Sequence, residues 1–212
     1  MQIQLQGLLP AYFEERGAGS EIWNKQVQLR KGENIHIIAP SGRGKTSLIH
    51  FLYGIRNDYN GKIFYDSADI RSFDAEKFAT WRRQHVSIVF QDLRLFLSHS
   101  VLQNLEIKRQ LNPFAAAAQI TEMADRLGIK NKLHKPCSTC SYGEQQRIAI
   151  IRALQQPFDF LLLDEPFSHL DELNRQKAME LIEEESRKRD ATVILADLRE
   201  IVYFKSERTL HL

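Results

Sequence analysis

The stretch of this 212-residue chain that decides the fold runs from Asn34 to Leu52 and reads NIHIIAPSGRGKTSLIHFL. Its first part, Asn34–Ile38, is a short apolar run rich in β-branched residues, which predicts a buried strand. A glycine-rich segment follows, and from Thr46 onward apolar residues recur at helical spacing as far as Leu52, with Gly54 as a plausible stop. The order of strand, glycine-rich loop and helix predicts an α/β fold.

The loop between this strand and helix, residues 39–47, matches the phosphate-loop pattern except at its first position, where Ala39 stands in place of glycine. Its glycines let successive backbone N–H groups turn toward one anion at the positive end of the helix. Lys45 is placed to reach the β- and γ-phosphates of ATP, the Thr46 hydroxyl to ligate Mg²⁺, and Ser47 to donate to the α-phosphate. The predicted nucleotide-binding residues of the loop are Pro40, Ser41, Gly42, Arg43, Gly44, Lys45, Thr46 and Ser47.

Two adjacent carboxylates, Asp164 and Glu165, follow the apolar run Phe160–Leu163. Parallel sheets bind ligands at the carboxyl ends of their strands. Asp164 is therefore a candidate for Mg²⁺ binding, and Glu165 is a candidate general base that polarises an attacking water. Beside a phosphate loop, this pair predicts ATP hydrolysis.

The rest of the pattern extends the α/β interpretation. Further buried strands are predicted at Val86–Phe90 and Thr192–Leu195. Looser alternation from Ile3 to Leu29, with turn residues such as Gly17, predicts an antiparallel β portion. From about residue 92 to 140 the pattern is helical. We therefore expect one domain over 1–212: a P-loop NTPase core with a parallel sheet, an N-terminal antiparallel β portion and an inserted helical subdomain.

Composition argues against several classes of protein. Lysine and arginine number 29 against 27 acidic residues, and the two signs are interleaved, so charge gives no support for a nucleic-acid partner. The chain has no apolar run of the ~18 residues that a membrane span needs, and its first residues do not resemble a signal peptide. We expect a cytoplasmic protein that depends on another protein for any work at a membrane.

Both cysteines, Cys137 and Cys140, lie in one Cys-x-x-Cys segment. Such a pair can ligate zinc or act as a redox dithiol, but a structural zinc site normally needs about four ligands, and the chain has no second pair. Two small, semi-buried thiols in a reducing compartment are the preferred interpretation.

The segment Cys140–Leu154, CSYGEQQRIAIIRAL, resembles the Leu-Ser-Gly-Gly-Gln signature of the ATP-binding-cassette (ABC) ATPases and the helix that follows it. Other motifs occur in the order that this family shows: Gln91 resembles the Q-loop, and Asp171 ends a segment that resembles the D-loop. Tyr12 stands where the family has an aromatic residue that stacks on adenine. Phe13 is a near competitor, and either ring would also suit the core.

The resemblance implies that ATP binding joins two cassettes head to tail, as a homodimer or as paired cassettes. The signature of one, Ser141, Gly143 and Glu144, would face the γ-phosphate held by Lys45 of the other. Gln91 would have a catalytic role, ligating Mg²⁺ or water, and would link the site to the helical subdomain. In transporters that subdomain receives a helix of an integral membrane permease, which places the cassette peripherally on the inner face of the cell membrane.

Three departures from the family pattern affect these expectations. The family's switch histidine follows the last core strand, and we assign its position to Ala196, which predicts slow turnover because one positioned polar group is missing. His169 and His211 are interpreted as ordinary histidines. In the signature, Tyr142 adds bulk, and Glu144 adds negative charge close to phosphate.

The predicted function is that of an ATP-binding subunit that hydrolyses ATP-Mg²⁺ to drive a permease. Gln91–Phe96 and Ser100–Leu105 resemble the lipoprotein-release, macrolide-export and cell-division group of the family. The alternative is an ATP-gated dimerisation switch with little hydrolysis, which Ala196 favours. A third possibility, a cassette of DNA repair or translation, predicts a coiled-coil insertion or a second cassette, and the sequence has neither.

Overall fold

A computed structural model describes residues 1–13 and 19–212, so the predicted turn at Gly17 lies outside the described residues. The strands are β1 (Gln2–Pro10), β2 (Gln26–Arg30), β3 (Ile35–Ile38), β4 (Tyr59–Tyr65), β5 (Ala68–Asp69), β6 (Val86–Val89), β7 (Phe160–Asp164), β8 (Thr192–Asp197) and β9 (Arg208–His211). The α-helices are α1 (Lys45–Tyr53), α2 (Ala75–Gln84), α3 (Val101–Leu111), α4 (Ala117–Arg126), α5 (Tyr142–Ala153) and α6 (Glu172–Arg187). Short 3₁₀ turns lie at Ile70–Ser72, Lys130–Lys132 and Cys137–Thr139.

A parallel five-stranded sheet forms the centre of the molecule, in the order β6-β7-β8-β3-β9. Ile38 at the end of β3 is paired with Asp197 of β8, and Asp164 at the end of β7 is paired with Ala196. The carboxyl ends of β3, β7 and β8 therefore meet at one edge of the sheet. This register brings the phosphate loop, which follows β3, close to the acidic pair at the end of β7.

Apolar side chains cover both faces of the parallel sheet. Along β8 they alternate: Val193 and Leu195 pack among the helices α3 to α6, and Ile194 and Ala196 pack against α1 and the second sheet. A sheet buried on both faces explains why its central strands read as nearly continuous apolar runs. The predicted parallel core is confirmed.

A second, antiparallel sheet has the order β2-β1-β4-β5. Strands β1 and β2 confirm the antiparallel portion expected between Ile3 and Leu29. The pattern did not predict β4 and β5, which join this sheet, or β9 at the edge of the parallel sheet. β4 begins Tyr59-Asn60-Gly61-Lys62, and β9 buries only Leu210, so neither strand carries a sustained apolar signal.

The predicted helical interval, about 92–140, contains α3 and α4. Leu105 of α3, Ile120 and Met123 of α4, and Ile148 of α5 belong to one buried apolar cluster. The inserted helical subdomain of the predicted fold is thus present, and it packs directly on α5. In the described residues, no helix is long and apolar enough to cross a membrane.

Gly61 of β4 tests the pairing of the antiparallel sheet, because it lies at φ +86° opposite an irregularity in β1. A Cβ atom there would stand 2.3 Å from the Gly7 carbonyl oxygen, whereas Gly7, at φ +60°, has open space around its own Cβ position. We expect Gly7→Ala to cost only the about 1–2 kcal/mol of a left-handed alanine. Gly61→Ala should lower the free energy of unfolding in urea by clearly more, since backbone atoms must also move. Equal losses in the two variants would contradict the close approach.

Candidate functional site

The phosphate loop follows β3 and leads into α1, which begins at Lys45. Gly42 and Gly44 have left-handed backbone angles, φ +79° and +90°. A Cβ on Gly44 would stand 3.0 Å from the Trp23 ring and 3.2 Å from the Phe13 ring. The Trp23 indole N–H also donates to the Arg43 carbonyl at 3.2 Å. Two buried aromatic side chains therefore support the loop from within the protein, and a larger residue at Gly44 would be both crowded by these rings and strained in its backbone.

Lys45 is nearly buried, with 4% of its side chain exposed. Its ammonium donates to the Ala39 carbonyl at 2.7 Å and to the Pro40 carbonyl at 3.2 Å, and it lies 3.3 Å from a carboxylate oxygen of Glu165. The lysine thus lies within the loop, as the motif predicts, and contacts the acidic pair that follows β7.

Gln91 connects the loop to the acidic pair. The Thr46 hydroxyl donates to the Gln91 amide oxygen at 3.2 Å, and the Gln91 amide nitrogen donates to Glu165 at 3.4 Å. Glu165 has φ +47°, which is uncommon for a residue with a side chain and which turns the backbone sharply at the end of β7. The structure therefore brings together three predicted site residues from three separate segments.

Asp164 is fully buried beside this group, and neither of its carboxylate oxygens has a hydrogen-bond partner within the described part of the chain. Burial raises the pKa of Asp164 to about 6, an effect that the nearby Thr46 hydroxyl opposes. A buried carboxylate with free oxygens, next to a hydroxyl and an amide oxygen, is the donor set that Mg²⁺ prefers. Asp164, Thr46 and Gln91 thus fit a magnesium ion.

The structure distinguishes between the two aromatic candidates for stacking on adenine. Phe13 is 6% exposed and packs edge-on against Trp23, whereas Tyr12 is 51% exposed. Tyr12 shares a hydrogen bond with the Ser47 hydroxyl, to which Arg56 also donates at 3.1 Å. The Arg56 guanidinium lies 5.4 Å from the centre of the Tyr12 ring. The sequence analysis missed Arg56, because it belongs to no motif and comes beside the loop only in the folded chain.

The signature segment forms the N-terminus of α5. Ser141 is the N-cap, and a capping box joins it to Glu144: the Glu144 carboxylate accepts the Ser141 N–H at 2.8 Å, and the Ser141 hydroxyl accepts the Glu144 N–H at 3.3 Å. Glu144 also pairs with Lys132 at 3.0 Å. The negative charge that Glu144 adds to this segment therefore has two partners in its own chain, the Lys132 ammonium and the Ser141 N–H.

A buried glutamine that the sequence analysis missed connects α5 to the segment resembling the D-loop. Gln146 is 1% exposed, donates to the Ser168 hydroxyl at 2.9 Å and accepts the His169 N–H at 2.9 Å. Asp171 ends this segment as the N-cap of α6, accepting the Asn174 N–H at 2.8 Å, and this bond lowers its pKa. The sequence could have revealed Gln146, because it is a polar residue on the side of α5 that is otherwise apolar and buried.

The assignment of the switch position to Ala196 needs correction. Ala196 lies inside β8, is fully buried, and its carbonyl accepts the Glu165 N–H at 2.9 Å. The strand ends at Asp197, and the first residue beyond it is Leu198, which is 44% exposed and lines one cleft with Glu165 and Ser168. The residue that follows the last core strand is thus Leu198. It too is apolar, so the missing imidazole remains a feature of the chain.

The thiols of Cys137 and Cys140 are free and buried. Cys137 accepts a hydrogen bond from the Asn104 amide at 3.3 Å, and burial raises its pKa to about 11. A protonated thiol is a poor nucleophile and a poor metal ligand, which favours the structural interpretation.

The raised pKa of Asp164 makes the stability of the nucleotide-free chain depend on pH. The unfolded value is about 3.9, so the folded state holds this proton more tightly, and the stabilising effect disappears as pH rises toward about 6. Asp164→Asn removes this dependence. We expect its free energy of unfolding, relative to wild type, to rise by about 2 kcal/mol between pH 4.5 and 7.5. Urea titrations of both proteins at the two pH values measure it, and a pH-independent difference would contradict the burial of a charged carboxylate.

Comparisons with known proteins agree with this geometry. A family model described as ABC transporter matches residues 23–168. The lipoprotein-releasing system ATP-binding protein LolD of Idiomarina loihiensis is 33% identical over 147 residues, which cover 68% of this chain and 64% of that protein. The macrolide export ATP-binding/permease protein MacB of Nitrosomonas europaea is 32% identical over 74% of this chain, which spans only 24% of that protein.

A solved structure, the dimeric bacterial ABC transporter cassette MJ0796, has the same fold, with a TM-score of 0.85 at 24% identity over 99% of this chain and 94% of that chain. The family match covers more than half of the chain and includes the phosphate loop, Gln91, the signature segment and the acidic pair. The chain therefore belongs to the ABC transporter family, as an ATP-binding domain of that family.

Proposed function

We propose that the chain is the ATP-binding subunit of an ABC transporter, which hydrolyses ATP between two cassettes and thereby drives a membrane permease. The observation that carries the proposal is the connected group of Lys45, Thr46, Gln91 and Glu165 at the N-terminus of α1. It places a phosphate-binding cation, metal ligands and a base within one network, as phosphoryl transfer to water requires.

The loop binds the phosphates of ATP with its backbone N–H groups and the positive end of α1. Tyr12 is the exposed ring available to stack on adenine. The Lys45 ammonium, now held by two carbonyls and Glu165, exchanges these partners for phosphate oxygens. Because phosphate and Glu165 compete for the same ammonium, binding of ATP frees the Glu165 carboxylate.

Thr46, Gln91 and Asp164 are the residues that would hold Mg²⁺. The ion neutralises charge on the β- and γ-phosphate oxygens when it is bound. Asp164 contributes an oxygen pair that has no partner in the described structure, so binding a cation there relieves an unsatisfied buried carboxylate.

Glu165 is the proposed general base. Its backbone is fixed by the hydrogen bond to the Ala196 carbonyl, and its carboxylate is held by Lys45 and Gln91. Once released from Lys45, the carboxylate accepts a proton from the water that attacks the γ-phosphate.

The fold of the dimeric MJ0796 cassette supports pairing with a second cassette, either a homodimer or a paired subunit. Ser141 and Tyr142 are exposed at the N-terminus of α5, where unpaired N–H groups and the helix dipole favour an anion. We propose that Ser141 and Gly143 contact the γ-phosphate bound by the partner cassette, and that Asp171 lies near the same interface.

The similarity to LolD and MacB supports a permease as the membrane partner, with this chain peripheral on the inner face of the membrane. Phe96 and Leu97, between Gln91 and α3, are 52% and 50% exposed and offer an apolar contact for a permease helix. The turn before them is held by Arg152 of α5, which donates to the Leu93 carbonyl at 2.6 Å and to the Arg94 carbonyl at 2.7 Å. A displacement of Gln91 would therefore be passed to Phe96 and Leu97 through the short turn that Arg152 holds.

A second candidate function is an ATP-gated switch that dimerises with little hydrolysis. Leu198 favours it, because an apolar side chain at the exit of β8 cannot hydrogen-bond a phosphate or a water.

Glu165→Gln tests the proposed function. Removing the base should lower ATP turnover by about 10²- to 10⁴-fold while ATP binding persists and ATP-bound dimers accumulate. Steady-state hydrolysis, nucleotide binding and size-exclusion chromatography measure the three properties. Lys45→Ala should lose binding itself, and Glu180→Gln, at an exposed position of α6, serves as the matched control. ATP-dependent dimers without turnover in the wild type would exclude the motor and establish the switch.

Leu198→His tests whether the missing imidazole limits the rate. A histidine beyond β8 can reach the cleft beside Glu165, and we expect turnover to rise by about tenfold or more. Ala196→His should instead destabilise the fold by about 1–3 kcal/mol, because a large side chain enters a packed core. If Leu198→His leaves turnover unchanged, the imidazole is not what limits this enzyme.

A further inference from the structure

Tyr142 makes two contacts that the glycine of the family signature cannot make. Its hydroxyl donates to the main-chain carbonyl of Gln91 at 3.3 Å. Its ring lies 4.3 Å, centre to centre, from the ring of His169, at an angle of 58°. One side chain thus joins the signature, the Gln91 segment and the segment resembling the D-loop within a single subunit.

The backbone of Tyr142 is held in place, because α5 packs closely on the His169 segment. A Cβ on Gly143 would stand 2.9 Å from the His169 carbonyl oxygen. One turn further along the helix, Gln146 bonds to the Ser168 hydroxyl and to the His169 N–H. The N-terminus of α5 cannot shift without disturbing these contacts, so the tyrosine hydroxyl is presented from a rigid element.

The Gln91 segment, by contrast, depends on contacts with other parts of the chain. Leu93 and Arg94 both have left-handed backbone angles, φ +58° and +48°, which bulky side chains adopt reluctantly. Arg152, in the last turn of α5, holds their two carbonyls. Tyr142, in the first turn of the same helix, holds the carbonyl of Gln91. The first turn of α5 therefore holds the start of this segment, at Gln91, and the last turn holds its end, at Leu93 and Arg94.

We infer that Tyr142 is a positioning residue for ATP hydrolysis, which holds the peptide of Gln91 so that the amide side chain lies between Thr46 and Glu165. This inference rests on the proposed function. The bond is made to the residue whose side chain donates to Glu165 and accepts from Thr46. Loss of the tyrosine hydroxyl leaves Gln91 present but less well placed, and a misplaced group lowers the rate without removing the binding site.

A competing interpretation is that Tyr142 only adds bulk at the cassette interface and hinders closure. The two interpretations make opposite forecasts. A positioning residue makes its contribution through the hydroxyl, so Tyr142→Phe slows turnover. A residue that merely obstructs is relieved by Tyr142→Gly and is unaffected by the loss of one oxygen atom.

The test compares wild type, Tyr142→Phe and Tyr142→Gly, with Tyr59→Phe in the antiparallel sheet as the control for removal of a tyrosine hydroxyl. We expect Tyr142→Phe to lower kcat roughly two- to tenfold, the range that one hydrogen bond supplies. Its affinity for ATP should be unchanged, and the Mg²⁺ concentration for half-maximal turnover should rise. In a Gln91→Ala background Tyr142→Phe should have no further effect, because the group that it positions is gone.

A second measurement is independent of turnover. Hydrogen exchange of the nucleotide-free chain reports the Leu93 N–H, which bonds to the Phe90 carbonyl at 3.0 Å. Its exchange should be faster in Tyr142→Phe than in wild type or Tyr59→Phe. A wild type without turnover overturns the proposed function. A wild type with turnover, in which Tyr142→Phe changes neither kcat nor exchange, or in which only Tyr142→Gly acts and raises kcat, overturns the role of Tyr142 alone.

Discussion

The parallel pairing of β3, β8 and β7 is the constraint on which the candidate site depends. The three strands end at nearly the same level, because Ile38 pairs with Asp197 and Asp164 pairs with Ala196. The turns that follow these strands therefore lie next to each other. Lys45 and Glu165, 120 positions apart by their numbers, come within 3.3 Å for this reason. A shift of one residue in either pairing would move the Glu165 carboxylate and the Lys45 ammonium apart and turn core side chains to the wrong face.

The candidate site lowers the stability of the nucleotide-free fold. Asp164 is buried with unsatisfied oxygens, and Glu165 occupies a strained backbone region. Lys45 lies almost wholly inside the protein. The unsatisfied carboxylate of Asp164 opposes folding until a cation enters the site, and the backbone strain at Glu165 is a further cost to stability. A site that lowers the stability of the fold in order to function is a usual relation between stability and activity. The aromatic support beneath Gly44 and the continuous core behind β7 and β8 supply the rigidity that holds such groups in place.

Helix α5 connects this site to the rest of the molecule. Its first turn contains Ser141 and Tyr142, its middle contacts the His169 segment through Gln146, and its last turn holds the Leu93 carbonyl through Arg152. The proposed partner cassette, the proposed metal site and the exposed apolar side chains beyond Gln91 thus all adjoin one rigid element. A rigid helix that contacts several loops moves them together, which gives the proposed coupling between nucleotide and permease a physical basis.

The sequence by itself determined the nucleotide-binding motif and the core strands, because each depends on residues that are close together in the chain. The phosphate loop needs glycine, lysine and threonine at fixed spacing, and strands buried on both faces need continuous apolar runs. The sequence did not predict strands β4 and β9, since their stability comes from partners distant along the chain rather than from their own residues. The same reason applies to the site. Only the tertiary structure decided that Tyr12 rather than Phe13 is accessible, that Leu198 rather than Ala196 follows β8, and that Arg56, Gln146 and Tyr142 contact the functional segments. These features arise from packing: it sets which side chains are exposed, where a strand ends and which distant segments are in contact. A local sequence pattern does not contain this information.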